Sequence, residues 1–215
     1  IQANVDAIRE VEGVPHVNHP NFRWSFSVEE LRQVRGDRLL EIFNGHPTVH
    51  NDGGGGTPGM VEVWDMLLTE GKEIYGIAVD DAHHFQEEFS PDRANPGRGW
   101  VSVRSDALKA GALMEAMEAG HFYASTGVEL SDVTVEERRI TVSIGFDRDF
   151  RYTTTFYGSG GRLLHSTTDE PAVFDLDTHG IGSDPGAAAS YVRAEVRNSR
   201  GDVAWVQPVF LSSSR

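Results

Sequence analysis

The chain has 215 residues, 39 % of them hydrophobic and 24 % charged, which is ordinary for a globular protein. A net charge of −14 makes a phosphate backbone an unfavourable partner, so nucleic-acid binding is not expected. There is no cysteine, which excludes disulfides, thiolate catalysis and cysteine-held zinc. No apolar run approaches the roughly 18 residues of a membrane span, and the first residues lack a basic and apolar leader. A soluble chain is expected, with no membrane partner and the compartment open.

In chain order, a short apolar strand is expected over residues 14–18. Ser27 with Glu30 three residues on forms a capping-box pattern, opening a helix that runs to about Val34. Gly36 ends it, and residues 39–43 read as the next strand. A glycine-rich loop over residues 51–56 leads to Thr57-Pro58, read as N-cap and first helical residue. The helix that follows, to Glu70, carries Val61, Trp64, Leu67 and Leu68 on one face. Residues 74–79 and 100–104 read as strands. The second is followed by a helix holding Leu113, Met114 and Met117 and closed by Gly120. Strand and helix alternating at this spacing predict an α/β region of parallel strands over residues 1–127. After Gly127 the helical pattern gives way to short β-rich runs separated by turn signals. A small antiparallel β-sandwich is expected over residues 128–215.

Seven of the nine histidines fall before residue 125. In parallel α/β folds functional groups lie at the C-terminal ends of strands. The first expected strand ends in Asn18-His19-Pro20, the second holds Glu41 and ends in Asn44-Gly45-His46, and the third ends in Asp80-Asp81-Ala82-His83-His84. In an extended segment residues two apart point the same way, so Asp81 and His83 can face one ion. A carboxylate and an imidazole together suit zinc, manganese or iron. Asp80 points away and takes a supporting place. His84, His46 and His50 are candidates for protonating a leaving group. Arg23 and Trp24 stand where an anionic or aromatic substrate would meet the His19 loop. Gly53–Gly56 is not a phosphate-binding loop, because no Gly-Lys-Ser/Thr follows it.

The segments Pro15-His16-Val17-Asn18-His19-Pro20, Leu40-Glu41-Ile42-Phe43-Asn44-Gly45 and Tyr75 to His83 resemble successive late motifs of the PHP (polymerase and histidinol phosphatase) superfamily. The branch they are most similar to contains the CehA/McbA-type hydrolases. Gly99-Trp100-Val101 and the segment from Gly120 to Gly127 continue the resemblance.

That resemblance implies the later strands of a distorted (β/α)7 barrel, divalent ions, and hydrolysis of a small-molecule phosphate ester by metal-activated water. In other branches the substrate is a carboxyl ester or carbamate. It makes His19, Asp81 and His83 the metal ligands, with Asp81, His83 and His84 carrying the chemistry and Glu41 and Asn44 supporting them. Arg23, His46 and His50 are left for substrate binding. The family's opening His-x-His motif has no counterpart here. Its absence implies a piece of a longer protein lacking its N-terminal segment, or half a barrel whose open strand edges favour a homo-oligomer. The third expectation is an inactive binding or accessory module, with Tyr152, Phe156 and Tyr157 offering an aromatic surface.

Overall fold

The structure, a computed structural model, describes residues 1–179 and 190–211. The N-terminal elements are α1 (Gln2–Glu10), β1 (His16–Val17), α2 (Val28–Gln33), β2 (Leu39–Asn44), α3 (Met60–Thr69), β3 (Tyr75–Val79), β4 (Trp100–Val103), α4 (Ala110–Glu118) and β5 (Phe122–Ser125). Strands β6 (Leu130–Glu136), β7 (Arg139–Ile144), β8 (Tyr152–Gly158), β9 (Arg162–Thr167), β10 (Ala172–Asp175), β11 (Tyr191–Asn198) and β12 (Val203–Phe210) follow.

The capping box at Ser27 forms. Its hydroxyl accepts the Glu30 N–H at 3.3 Å, and the Glu30 carboxylate accepts the Ser27 N–H at 2.8 Å. Thr57-Pro58 does not cap α3. Thr57 and Gly54 instead exchange backbone hydrogen bonds of 2.9 and 3.0 Å, and this tight turn delays the helix to Met60. Gly59 precedes it, with its N–H donated to the Glu62 carboxylate at 3.2 Å. The apolar stripe of α3 packs inward as its spacing predicts: Trp64 and Leu68 are fully buried, and the indole N–H donates to the Ile74 carbonyl at 3.0 Å.

The expected barrel is absent. Strand makes up 35 % of the structure against 18 % helix, and no (β/α)7 pattern is present. Only β1, β2 and β3 are parallel, in that order. Helices α2 and α3 supply the two crossovers that parallel pairing requires. The segment between β3 and β4 contains no helix, so β4 is not delivered as a fourth parallel strand. It pairs antiparallel with β5, Trp100 facing Ser125, and starts a six-stranded sheet of order β4-β5-β12-β11-β8-β9. That sheet takes strands from both sides of residue 127. The third sheet, β10-β7-β6, packs on it, with Ile140, Val142 and Phe174 against Phe156, Val196 and Val206 in one buried cluster.

Two devices join the parallel sheet to the six-stranded one. The Gln207 side-chain amide accepts the Gly76 N–H at 2.9 Å and donates to the Gly76 carbonyl at 2.8 Å, so it pairs with the free edge of β3 as a neighbouring strand would. On the helix side, Asp65 of α3 accepts from the Arg193 Nε at 2.7 Å, the Arg193 Nη2 at 2.6 Å and the Tyr191 hydroxyl at 2.6 Å.

Candidate functional site

The parallel pairing of β1, β2 and β3 brings their C-terminal ends to one sheet edge. Glu41 and Asn44, three apart, would face opposite sides of a regular strand. The β2–β3 register shifts between Glu41 and Phe43, and this irregularity resets the alternation. The Asn44 Nδ2 therefore reaches the Glu41 Oε2 at 2.9 Å and the Asp81 Oδ2 at 3.2 Å. One amide thus ties the carboxylates of β2 and of the β3 end together. Asn44 is itself held from both sides by Asn51. The Asn44 N–H donates to the Asn51 Oδ1 at 2.8 Å, and the Asn51 Nδ2 donates to the Asn44 carbonyl at 2.8 Å.

Glu41 is buried, and burial pushes its carboxyl above the usual carboxylate range despite the opposing hydrogen bonds from Asn44 and the His19 N–H. The His19 N–H donates to the Glu41 Oε2 at 2.7 Å, while the Glu41 Oε1 faces the His16 Nε2 at 3.8 Å. On the third strand end the Asp81 Oδ1 lies 3.3 Å from the His83 Nε2. Asp81 and His83 thus lie together, although the segment is not the extended one that their spacing presumed. Asp81 is left-handed at φ 48°, a conformation that aspartate tolerates better than most residues but that still costs energy.

Beside this pair, the His46 and His83 rings stand edge to face at 5.0 Å. The Thr48 N–H donates to the His46 Nδ1 at 3.3 Å, and the His46 N–H donates to the Asn44 Oδ1 at 2.8 Å. A backbone N–H can only donate, so Nδ1 carries the lone pair and Nε2 the proton in the neutral ring. With Nδ1 engaged by Thr48, Nε2 is the His46 nitrogen left for other contacts.

The remaining predicted residues take other places. The His19 ring meets Phe22 edge on at 5.5 Å, and its hydrogen bond to the cluster runs through its backbone N–H, while its ring acts on the Glu41 carboxyl only through charge. Asp80 accepts the Gly97 N–H at 2.8 Å and anchors the loop between β3 and β4. The His84 Nδ1 accepts the Ala94 N–H at 3.2 Å, which binds that ring to the same loop. Arg23 lies over the Phe22 ring at 5.3 Å, and His50 stacks on Trp24 at 4.6 Å. Sequence reasoning passed over His16 and Asn51. Only the position of His16 in a strand was a signal, and Asn51 read as part of a glycine-rich loop.

Among the described residues no three or more His, Asp or Glu side chains lie close enough together to hold a metal ion. His19, Asp81 and His83 are not gathered as a three-ligand set. The Asp81–His83 pair makes an ordinary carboxylate–imidazole contact, at a distance that two ligands of one ion also take. Two donors held at about 2.0–2.1 Å from one ion at a tetrahedral angle stand about 3.3 Å apart, and Asp81 and His83 have that separation. A cavity of about 790 Å³ opens elsewhere, at the N-terminal end of β3, lined by Tyr75, Arg104, His121 and Tyr123 among others. None of the strand-end groups lines it.

No family model, curated protein or solved structure matches the chain.

Proposed function

We propose that the chain acts as a divalent-cation-dependent hydrolase of a small-molecule ester, with its site at the C-terminal edge of the parallel sheet. The observation that carries this reading is the linked set Glu41–Asn44–Asp81–His83, drawn from two strand ends and oriented by one amide. Zinc, manganese or iron suits its oxygen and imidazole donors, and such an ion supplies Lewis acidity and an activated water when bound.

The chain's own residues do the rest. Asp81 and His83 offer two donor atoms at ligand spacing. Asn44 donates to Asp81 and fixes its second oxygen, an orienting contact of the kind that metal-binding carboxylates need. Glu41 places a second carboxylate behind that amide and adds negative charge in a desolvated position, which favours a cation in front of it. His46 stands beside His83 and, as the imidazolium, is the group to protonate a leaving oxygen. The order of the motifs His19-Pro20, Glu41-x-x-Asn44 and Asp81-x-His83 supports a phosphate ester as substrate, with a carboxyl ester or carbamate as the alternative. A second reading, a binding module without catalysis, draws support from the lack of a third close ligand among the described residues.

Metal content by plasma mass spectrometry, on protein purified without added metal and again after reconstitution, tests the proposal. About one ion per chain is expected, lost in Asp81→Ala and His83→Ala. His46→Ala should keep the ion and slow turnover of 4-nitrophenyl phosphate by roughly 10²-fold. Wild-type protein that stays metal-free after reconstitution would sink the hydrolase reading in favour of the binding module. Turnover of 4-nitrophenyl acetate but not of the phosphate would assign the carboxyl-ester branch.

A further inference from the structure

The loops that follow β1 and β2 carry an aromatic surface that the proposed hydrolytic chemistry does not use. Trp24 is 45 % exposed, while Trp64 and Trp205 are buried. Its indole lies flat on the His50 imidazole, centroids 4.6 Å apart and planes 12° from parallel. Arg23 and Trp24 are both left-handed, at φ 52° and 56°, in a chain where glycine supplies most such positions. Two adjacent non-glycine residues in that region persist only where their surroundings hold them. The holding contacts are visible. The buried Asn21 Nδ2 donates to the His50 carbonyl at 3.0 Å and the Pro58 carbonyl at 3.1 Å. The Phe26 N–H reaches back to the Pro20 carbonyl at 3.2 Å, and the Ser25 hydroxyl caps the Phe22 carbonyl at 2.6 Å.

Those contacts also tie the stack to the site. His50 is followed by Asn51, whose side chain brackets the backbone of Asn44, the residue that touches Asp81. Arg23, next in sequence to Trp24, is exposed with its guanidinium over the Phe22 ring at 5.3 Å, and it pairs with no carboxylate among the described residues, although the chain carries 33 acidic groups.

We propose that Trp24 and His50 form a stacking subsite for a planar aromatic group of the substrate, and that Arg23 attracts an anionic substituent on that ring. The subsite rests on the hydrolase reading for its place in a reaction, but not for its ability to bind. A stacked ring gains attraction from the aromatic faces, and a platform already held in place loses little freedom on binding. An exposed guanidinium adds a charge contribution that salt screens.

The test is isothermal titration of the full chain with 2-naphthoate, in metal-free buffer so that no turnover enters. Saturable binding is expected, accompanied by quenching of tryptophan fluorescence. Trp24→Leu should weaken it about tenfold, the equivalent of about 1.4 kcal/mol. His50→Leu should weaken it less, and Arg23→Gln should lower affinity severalfold and flatten its salt dependence. Cyclohexanecarboxylate, equally charged but not planar, should bind at least about tenfold more weakly. No saturable binding of 2-naphthoate, equal affinity in Trp24→Leu, or equal affinity for the two carboxylates would each overturn the subsite. Metal content and ester turnover are measured separately, so failure here is distinguishable from failure of the hydrolase reading.

Discussion

The non-glycine residues with left-handed backbone are Glu12, His19, Arg23, Trp24 and Asp81, all before residue 82. From that point on, among the described residues, only glycines adopt positive φ. Buried polar groups divide in a similar way. Asn21, Glu41 and Asn44 are buried around the parallel strand ends and answer one another across loops. In the antiparallel sheets the buried polar residues sit on paired strands, as Thr154 does on β8, or in an ion pair, as Arg193 does with Asp65, although the Thr154 hydroxyl and the Arg193 Nη1 find no partner among the described residues. One region therefore holds strain and a desolvated carboxylate in place, while the other supplies regular pairing. Strain of this kind, about 1–3 kcal/mol per residue, points to function where it clusters. Four of the five, His19, Arg23, Trp24 and Asp81, lie in the loops that follow β1 and β3, on the edge that carries Asp81 and His83, while Glu12 lies between α1 and β1.

If the antiparallel part is what holds the strained edge in place, the join between them matters most. Asp65→Ala leaves the Arg193 guanidinium, 2 % exposed, without its counterion. Breaking one partner of a buried pair costs about 3–5 kcal/mol, and urea unfolding of the variant should lose stability on that scale. Replacing both partners, Asp65→Leu with Arg193→Met, should cost far less. A variant that loses stability without losing cation binding would break the dependence of one region on the other.

The next effect tests the strained edge itself. The Glu41 carboxyl is raised by burial, so its charged form is the unfavourable one in the fold. For a group raised in this way, stability is fully present below the unfolded value of about 4.3 and is lost as pH rises through the folded value. Glu41→Gln removes that cost and keeps an oxygen to accept from His19 and Asn44. It should raise stability at pH 8 by about 1 kcal/mol, with the gain fading by pH 4. Cation affinity should fall at the same time. Loss of stability at pH 8 would show that the carboxylate is structural rather than held ready for a ligand.

Asp81→Gly sharpens the same point with a smaller stability change. Glycine relieves the left-handed backbone but gives up the bond from Asn44, and these changes oppose each other at about 1 kcal/mol apiece. Thermal unfolding should move by no more than about 2–4 °C in either direction, while metal content falls to background.

Local signals carried the reading of single elements. The Ser27–Glu30 capping box and the apolar stripe of α3 depend on neighbours a few residues apart, and both form. Asp81 and His83 do meet, but not by the extended spacing that predicted it, since Asp81 is left-handed at φ 48°. What the sequence did not reveal depends on distant partners. The α/β rhythm predicted further parallel strands, but whether β4 joins β3 or β5 is decided by the helix-free segment before it and by β12, which pairs β5 from the far end of the chain. Helix α1 went unread because it is polar overall and buries only Val5, so its apolar face is thin. The displaced ring of His19 had no sequence signal, since its left-handed backbone at φ 26° is a property of the loop. Nor did the β2 irregularity that turns Asn44 toward Glu41, which arises from pairing with β3.

In the antiparallel region one titrating contact offers the weakest test of the comparison. His165 on β9 lies over Phe156 of β8, and its ring is 4.1 Å from that of His179, which stacks on Phe174 of β10. Burial first, and then His179, lowers the His165 imidazole below its usual value, with Asp169 opposing. A histidine lowered in the fold binds its proton more readily when unfolded. Its contribution to stability is therefore present above the unfolded value of about 6.5 and is lost as pH falls through the folded value. His165→Gln removes that dependence. The difference in Tm between wild type and variant should move against wild type from pH 7 to pH 5, by less than about 2 °C. The strand-end metal content of the variant should stay at the wild-type level, because the two histidines lie on the sandwich rather than on the strained edge. A change in that metal content would mean that the sandwich sets the geometry at Asp81 and does more than hold it in place.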